Sequence, residues 1–153
     1  MPEWLPSVFT FATTVLHVVD RYLTECFRIE SPPRVGELAG RLRLSRVTLN
    51  AWFRQELHST ATAYLKARQI DYAKHLLETT DLSATIIAYR AGFGTRRTFF
   101  RLFRQLAACT PAEYRGAAAG TAPRSGQLRL SITGRTPDHW PPQLPAATYL
   151  SLR

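Results

Sequence analysis

The stretch that decides the fold is Ile86 to Arg115, IIAYRAGFGTRRTFFRLFRQLAACTPAEYR. Ile86, Ile87 and Ala91 recur at helical spacing. Gly92 follows where the chain must turn sharply, and glycine adopts a positive φ there at no steric cost. The start of the stretch therefore predicts a short helix that ends in a glycine turn.

A basic amphipathic helix is predicted after the turn, with Thr95 as its N-cap. Its apolar side chains form one stripe: Phe99, Leu102, Phe103 and Leu106. Its basic side chains occupy the opposite face, which has no acidic residue: Arg96, Arg97, Arg101 and Arg104. Thr110, Pro111 and Glu113 then combine a T-x-x-E capping box with proline at the first helical position. The whole stretch predicts a helix-turn-helix closed by a third helix.

This pattern resembles the C-terminal signature of the AraC/XylS family of bacterial transcription regulators. The matching elements are Ile-Ala at 87–88, Gly-Phe at 92–93, a Phe…Arg…Phe helix over 99–103 and Thr-Pro-x-Glu-Tyr-Arg over 110–115. Ala107-Ala108 stands where the family commonly has an aromatic residue followed by glycine. The resemblance covers roughly residues 10–115 and implies binding to double-stranded DNA, with activation by contact with RNA polymerase. DNA binding alone is equally compatible with repression of transcription.

The domain organisation follows from composition and periodicity along the chain. We predict an all-α, seven-helix domain with two helix-turn-helix subdomains joined by a long linker helix, and then a disordered tail. The segments are an N-terminal amphipathic helix and linker (1–33), the first helix-turn-helix (34–58), the linker helix (59–80), the second helix-turn-helix with its closing helix (81–115) and a Pro-rich tail (116–153). Within the tail only Gln127 to Thr133 has a strand-like pattern.

The N-terminal segment carries an amphipathic helix from Phe9 to Arg28, which covers a core or, alternatively, forms a dimer seam. The oligomeric state stays open. The first helix-turn-helix has Arg43 where the family usually has glycine, so a left-handed conformation there would cost roughly 1 kcal/mol. His58 likewise replaces the glycine that commonly follows its second helix.

The linker helix is predicted from Ala61 to Thr79, with no glycine or proline inside it. A helix of that length spans about 28 Å. A rigid spacer of this size can hold two reading heads about one turn of DNA, roughly 34 Å, apart on one face of the duplex. The family resemblance implies the same arrangement.

Base reading requires side chains that project from one helical face with donors, acceptors or apolar groups that match base edges. The predicted DNA-binding residues of the first unit are Ser45, Arg46, Val47, Asn50 and Arg54, and those of the second are Thr95, Arg96, Arg97, Phe100, Arg101 and Arg104. Asn50 can bond to adenine and Val47 can contact a thymine methyl group, whereas the arginines suit guanine O6 and N7. Ala51 offers no polar group to the bases.

Charge supports this interpretation, since 20 basic residues against 11 acidic ones give a net charge of +9. Such a charge favours an anionic partner, either nucleic acid or an anionic membrane surface, although it also serves solubility. A solvated helix face is the alternative for the arginines. Arg54, Lys66, Arg68 and Arg104 are expected either to contact phosphates or to lie on ordinary surface.

Other classes of function find little support. The four histidines are scattered, and no cofactor, metal or catalytic site is expected. Cys26 and Cys109 are predicted to be buried, reduced thiols, which fits the cytoplasm. The apolar run 4–19 is too short to span a bilayer and lacks signal-peptide flanks.

Two rival functions remain: a truncated protein-interaction module and a nonspecific basic nucleic-acid binder. About thirty residues precede the first helix-turn-helix, which leaves no room for an effector domain of the kind the family carries. The chain is therefore expected to act without an inducer, or else to be a fragment of a longer regulator.

Overall fold

The computed structural model describes residues 8–121, and within that range the chain forms seven α-helices and no β-strand. The helices are α1 (Val8–Arg28), α2 (Val35–Arg41), α3 (Arg46–Leu57), α4 (Ala61–Thr79), α5 (Ala84–Arg90), α6 (Arg96–Ala107) and α7 (Pro111–Thr121). The predicted all-α class is confirmed. Most of the predicted tail, including the strand-like run 127–133, lies outside the described residues.

The linker helix α4 is the centre of the fold, because it packs against α3, α5, α6 and α7. Its buried apolar side chains face several directions: Ala61, Tyr64, Leu65, Ile70, Tyr72, Ala73, Leu76 and Leu77. A helix with buried side chains on most of its circumference must be enclosed by other elements. The rigid spacer between the two helix-turn-helix units is therefore also the core helix of the domain.

The two units repeat each other at a spacing of 50 residues, since α3 starts at Arg46 and α6 at Arg96 and each has 12 residues. Ser45 and Thr95 are the corresponding N-caps, and each side chain accepts a hydrogen bond from a backbone N–H three residues later. The repeat extends into the core, where Phe53 packs on Tyr64 with ring centroids 5.1 Å apart, and Phe103 packs on Tyr114 at 5.7 Å. The helices α3 and α6 are thus held in place by the same N-cap hydrogen bonds and aromatic contacts.

Left-handed residues end the helices of both units. His58 (φ 49°) and Ala108 (φ 58°) are the C-caps of α3 and α6, and Arg43 (φ 55°) lies in the first turn. Arg43 therefore does adopt the left-handed conformation whose cost the sequence raised. These three positions carry side chains where glycine would relieve the steric strain.

The turn of the second unit needs its glycine for two reasons. Gly92 has φ 74°, as the sequence predicted. In addition, a Cβ at this position would lie 2.9 Å from the carbonyl oxygen of Ser31 and 3.3 Å from Cα of Pro32. The segment that follows α1 is therefore packed directly against the turn of the second unit.

The helix α1 contacts three other elements. Its buried stripe joins the core, as predicted, and Phe27 stacks on Tyr72 of α4 at 4.2 Å. Glu25 pairs with Arg41 of α2 at 2.7 Å, and Glu30, just beyond α1, pairs with Arg90 of α5 at 3.6 Å. The helix α1 and the turn after it thus connect the first unit, the linker helix and the second unit.

A buried ion pair adds to this connection. Arg68 of α4 is 2% exposed, and its Nη2 donates to Oδ1 of Asp20 in α1 at 3.1 Å. The expectation that Arg68 contacts phosphate or lies on the surface is therefore wrong. The arginine lies on the inner side of α4, where a guanidinium needs a carboxylate partner.

The closing helix α7 starts as predicted. Thr110 N–H donates to Glu113 at 2.7 Å, and Glu113 N–H donates to the Thr110 hydroxyl at 3.2 Å, which completes the capping box. Arg115 donates to the carbonyl oxygens of Leu77, Thr80 and Leu82, and so anchors α7 to the end of α4.

The closing helix α7 continues past residue 115 to Thr121. Gly116 does not end the helix, since its surroundings are open and the alanines after it favour helix. Cys26 is buried, as predicted, whereas Cys109 is only half-buried, and both thiols are free. Between residues 8 and 121, no helix is long and apolar enough to cross a membrane.

Candidate nucleic-acid interface

The helix α6 presents a basic face to solvent. Phe99 and Phe103 are fully buried, which fixes the rotation of the helix about its axis. The opposite face is exposed and carries four guanidinium groups: Arg96, Arg97, Arg101 and Arg104. The predicted apolar stripe is shorter than expected, because Leu106 is 41% exposed. The predicted arginine face is present as a continuous surface.

Phe100 has a different place from the one predicted. Its ring is half-buried against Phe99, with centroids 5.5 Å apart, and the Arg96 guanidinium lies 4.9 Å from its centroid. Residues i and i+4 are neighbours on a helix, so this cation–π contact holds the Arg96 side chain along α6. Phe100 therefore supports an arginine instead of being freely exposed. Arg97, Arg101 and Arg104 continue the face at i, i+4 and i+7.

Lys66 of α4 contributes a cation beside this face. It is half-buried, and its Nζ lies 5.6 Å from the centroid of the Phe93 ring. Burial, and then the positive charge of Arg101, lower the pKa of Lys66. Two elements thus bring like charges together in a partly desolvated place. An anion bound there would relieve the repulsion.

The helix α3 presents a different chemistry. Arg46, Val47, Ala51 and Arg54 are exposed, and Val47 has 79% of its surface accessible. The Arg46 guanidinium folds back over α2, so close that a Cβ on Gly36 would lie 2.5 Å from its Nη2. Val47, Ala51 and Arg54 form an exposed row along α3, at i, i+4 and i+7.

Asn50 is not the exposed group that the sequence predicted. It is half-buried, and its Oδ1 accepts a hydrogen bond from the backbone N–H of Ala61 at 3.0 Å. That N–H is one of the donors that a helix start leaves without an intrahelical partner. Asn50 therefore caps α4. At the corresponding positions the second unit has Phe100 and Pro111, and proline has no N–H to satisfy.

Gln69 is a residue that the sequence analysis missed. It is fully buried in α4, and its Nε2 donates to the carbonyl oxygen of Ala91 at 2.8 Å, next to the turn of the second unit. The sequence feature that could have identified Gln69 is a polar side chain among the apolar, buried positions of α4. Across the described part of the chain, no three His, Cys, Asp or Glu side chains form a cluster that could hold a metal ion.

Comparison with known proteins places this geometry among DNA-binding regulators. Residues 38–117, just over half of the chain, match the model of a family described as Helix-turn-helix domain. The transcriptional activator RhaS of Enterobacter sp. (strain 638) is 42% identical over 72 residues, which are 47% of this chain and 26% of that protein. The transcriptional regulator CdhR of Pseudomonas aeruginosa is 31% identical over 108 residues, 71% of this chain and 32% of that one.

Two solved structures have the same fold. The DNA-binding domain of AdpA, a global transcriptional factor solved in complex with a target DNA, is 30% identical with a TM-score of 0.64, covering 72% of this chain and 97% of that one. An AraC-type regulator from Chromobacterium violaceum is 24% identical with a TM-score of 0.62, covering 72% and 93%.

The curated relatives are longer proteins, of which this chain spans about a quarter to a third. The similarity therefore lies in their DNA-binding part. Because the family model takes in both helix-turn-helix units, and a solved DNA-binding domain is covered almost completely, the chain belongs to the AraC/XylS family of helix-turn-helix transcription regulators.

Proposed function

We propose that this chain binds specific sites on double-stranded DNA by placing α3 and α6 in successive major grooves on one face of the duplex. The observation that carries the proposal is the pair of recognition helices held on one core helix, α4, of 19 residues. The solved relative AdpA is a DNA-binding domain in complex with its target DNA, which supports the same use of this fold.

The helix α6 supplies most of the polar base reading in this proposal. Arg97 and Arg101 occupy the first turns of the recognition helix, where side chains meet base edges, and a guanidinium can bond to guanine O6 and N7 together. Thr95 and the helix N-terminus face the phosphates. In this proposal Lys66 and Arg101, whose positive charges act on each other, contact the same phosphate.

We further propose that the bound protein activates transcription by contacting RNA polymerase in the cytoplasm. The relatives named RhaS are transcriptional activators, which favours activation over repression for this chain. In-vitro transcription from a promoter with and without the bound site, in the presence of the purified chain, decides the sign of regulation.

The test of DNA reading begins with in-vitro selection of bound duplexes, followed by binding isotherms on the selected site and on a mutated site. Arg97→Ala is expected to relax preference at one or two guanine positions, because one bidentate contact is worth about 1 to 3 kcal/mol of discrimination. Lys66→Ala is expected to weaken all sequences alike and to reduce the salt slope by about one unit. Measurements at two salt concentrations separate the two effects.

Three outcomes would favour the rival functions. An unchanged ratio of specific to nonspecific affinity after Arg96, Arg97 and Arg101 are all replaced by alanine would show that α6 is not a reader. Equal affinity of the unaltered chain for selected and random duplexes would leave a nonspecific binder. The absence of any DNA binding would favour a protein-interaction module.

A further inference from the structure

We infer that the first helix-turn-helix unit reads DNA through an apolar patch, Val47 and Ala51, which contacts the C5-methyl groups of thymine instead of hydrogen-bonding to base edges. This inference rests on the proposed function, since it names the chemistry by which α3 recognises its half of the site. It excludes the adenine contact expected for Asn50.

Exposure is the first observation. Val47 is the most exposed large apolar side chain among residues 11–120, and Ala51 lies beside it one turn later. Both belong to the first half of α3, the part of a recognition helix that meets base edges. Arg54 is exposed one turn beyond Ala51. In the bound complex its guanidinium would contact a phosphate or a base further along the groove.

Three polar side chains near the patch lie against other parts of the protein. Thr48 shares a hydrogen bond of 2.8 Å with the Ser45 hydroxyl. The Asn50 amide oxygen accepts from the Ala61 N–H, and the Arg46 guanidinium lies over Gly36. The first two turns of α3 therefore offer the groove a surface of methyl groups.

The 50-residue repeat supplies the second, independent observation. Val47 and Ala51 correspond to Arg97 and Arg101, so each unit has a uniform chemistry at its two central reading positions. Asn50 with Ala61 corresponds to Phe100 with Pro111, a pair that has neither the acceptor nor the N–H donor. The hydrogen bond to the start of α4 therefore accounts for the asparagine at position 50, and no contact with a DNA base is needed to explain it.

Thymine is the ligand that fits the patch. In the major groove of unmodified DNA only thymine presents a methyl group, and apolar side chains recognise it by contact. The half-site facing α3 should therefore carry thymine at one or two neighbouring steps, whereas the half-site facing α6 carries guanine. The two units then read opposite classes of base pair.

The test replaces single thymines by deoxyuridine in the selected duplex, which removes the methyl group and keeps the base pair. With the full chain, binding should weaken about fourfold at each contacted thymine, as expected for one buried methyl group. Val47→Ala, at a side chain too exposed to hold the fold together, should lower the uracil penalty at the thymine beside Val47 and keep it at the thymine beside Ala51. Arg97→Ala, the matched variant in the second unit, should keep the full uracil penalty.

A specificity ratio that survives Asn50→Ala would support the assignment of Asn50 to capping. The inference is overturned if no thymine-to-uracil change alters Kd by more than about twofold, or if Val47→Ala leaves the penalty unchanged at every thymine. In either case a retained preference for the selected duplex would leave the proposed function standing. Loss of that preference in the unaltered chain would overturn both.

Discussion

Single residues in the left-handed region hold the ends of the recognition helices, and they do so under strain. His58 and Ala108 adopt φ 49° and 58° as the C-caps of α3 and α6. Both side chains are exposed. The strain therefore comes from the backbone conformation and is not repaid by packing.

Replacing either of these C-cap residues by glycine should stabilise the protein. His58→Gly and Ala108→Gly are each expected to raise the free energy of unfolding by about 1 kcal/mol, because glycine adopts the left-handed conformation without a clash. Chemical denaturation monitored by circular dichroism measures the change. The matched control is Gln105→Gly, an exposed position inside α6, which should lose about 1 kcal/mol. A loss at positions 58 and 108 equal to that at 105 would contradict the strain argument.

At the scale of the element, the bounds of the helices were largely predictable. The predicted limits Arg46–Leu57 and Ala61–Thr79 agree with α3 and α4, because the N-cap residues Ser45 and Thr60 lie next to the helices that they start. The contacts of α1 could not be predicted, because they join residues far apart in the chain. Arg68 shows the limit: only the three-dimensional packing places Asp20 beside it.

Two ion pairs of α1 allow a matched test of its role. Asp20→Ala removes the carboxylate that the buried guanidinium of Arg68 contacts, and should lower the free energy of unfolding by about 2 kcal/mol. Glu25→Ala breaks the exposed pair with Arg41 and should cost less than about 1 kcal/mol. Urea titrations of both variants give the comparison. Equal effects would mean that burial of the Arg68 pair is not what fixes α1 to α4.

The capping box of α7 predicts a dependence of stability on pH. Hydrogen bonds from the backbone N–H and the side chain of Thr110 lower the pKa of Glu113 in the folded protein. Its stabilising effect is therefore complete above the unfolded value near 4.5 and is lost as the pH falls through the lower, folded value. Glu113→Gln keeps an accepting oxygen but does not titrate. The difference between the melting curves of wild type and Glu113→Gln should thus change below about pH 4.5 and stay flat above it.

At the scale of the whole molecule, α4 fixes the separation of α3 and α6, the two proposed reading helices. Its 19 residues correspond to about 28 Å of rigid helix, which α3, α5, α6 and α7 enclose. The sequence predicted this spacer from the absence of glycine and proline. It did not show that α1 also braces both units, with Glu25 on α2 and the Ser31 carbonyl against Gly92.

A rigid spacer should make binding sensitive to the distance between half-sites. Inserting 5 base pairs between them moves one half-site by about 17 Å and to the opposite face of the duplex, so affinity should fall to that of a single unit. Inserting about 10 base pairs restores the face but adds about 34 Å, so affinity should stay low. Gel-shift titrations can use equal-length duplexes with the insertion outside the site as controls. Recovery with 10 base pairs would show that the spacer is extensible.

Because the Ala61 N–H donates to Asn50, the sequence of α6 cannot replace that of α3 without a further change. A graft of the α6 sequence onto α3 would place phenylalanine at position 50 and leave the Ala61 N–H without its acceptor, at a cost of about 1 to 3 kcal/mol. The graft avoids this cost only if Ala61 is also replaced by proline, which has no N–H. Pro111 stands at the corresponding position of the second unit. A design that changes the α3 sequence to bind a new operator must therefore also change residue 61, the first residue of α4.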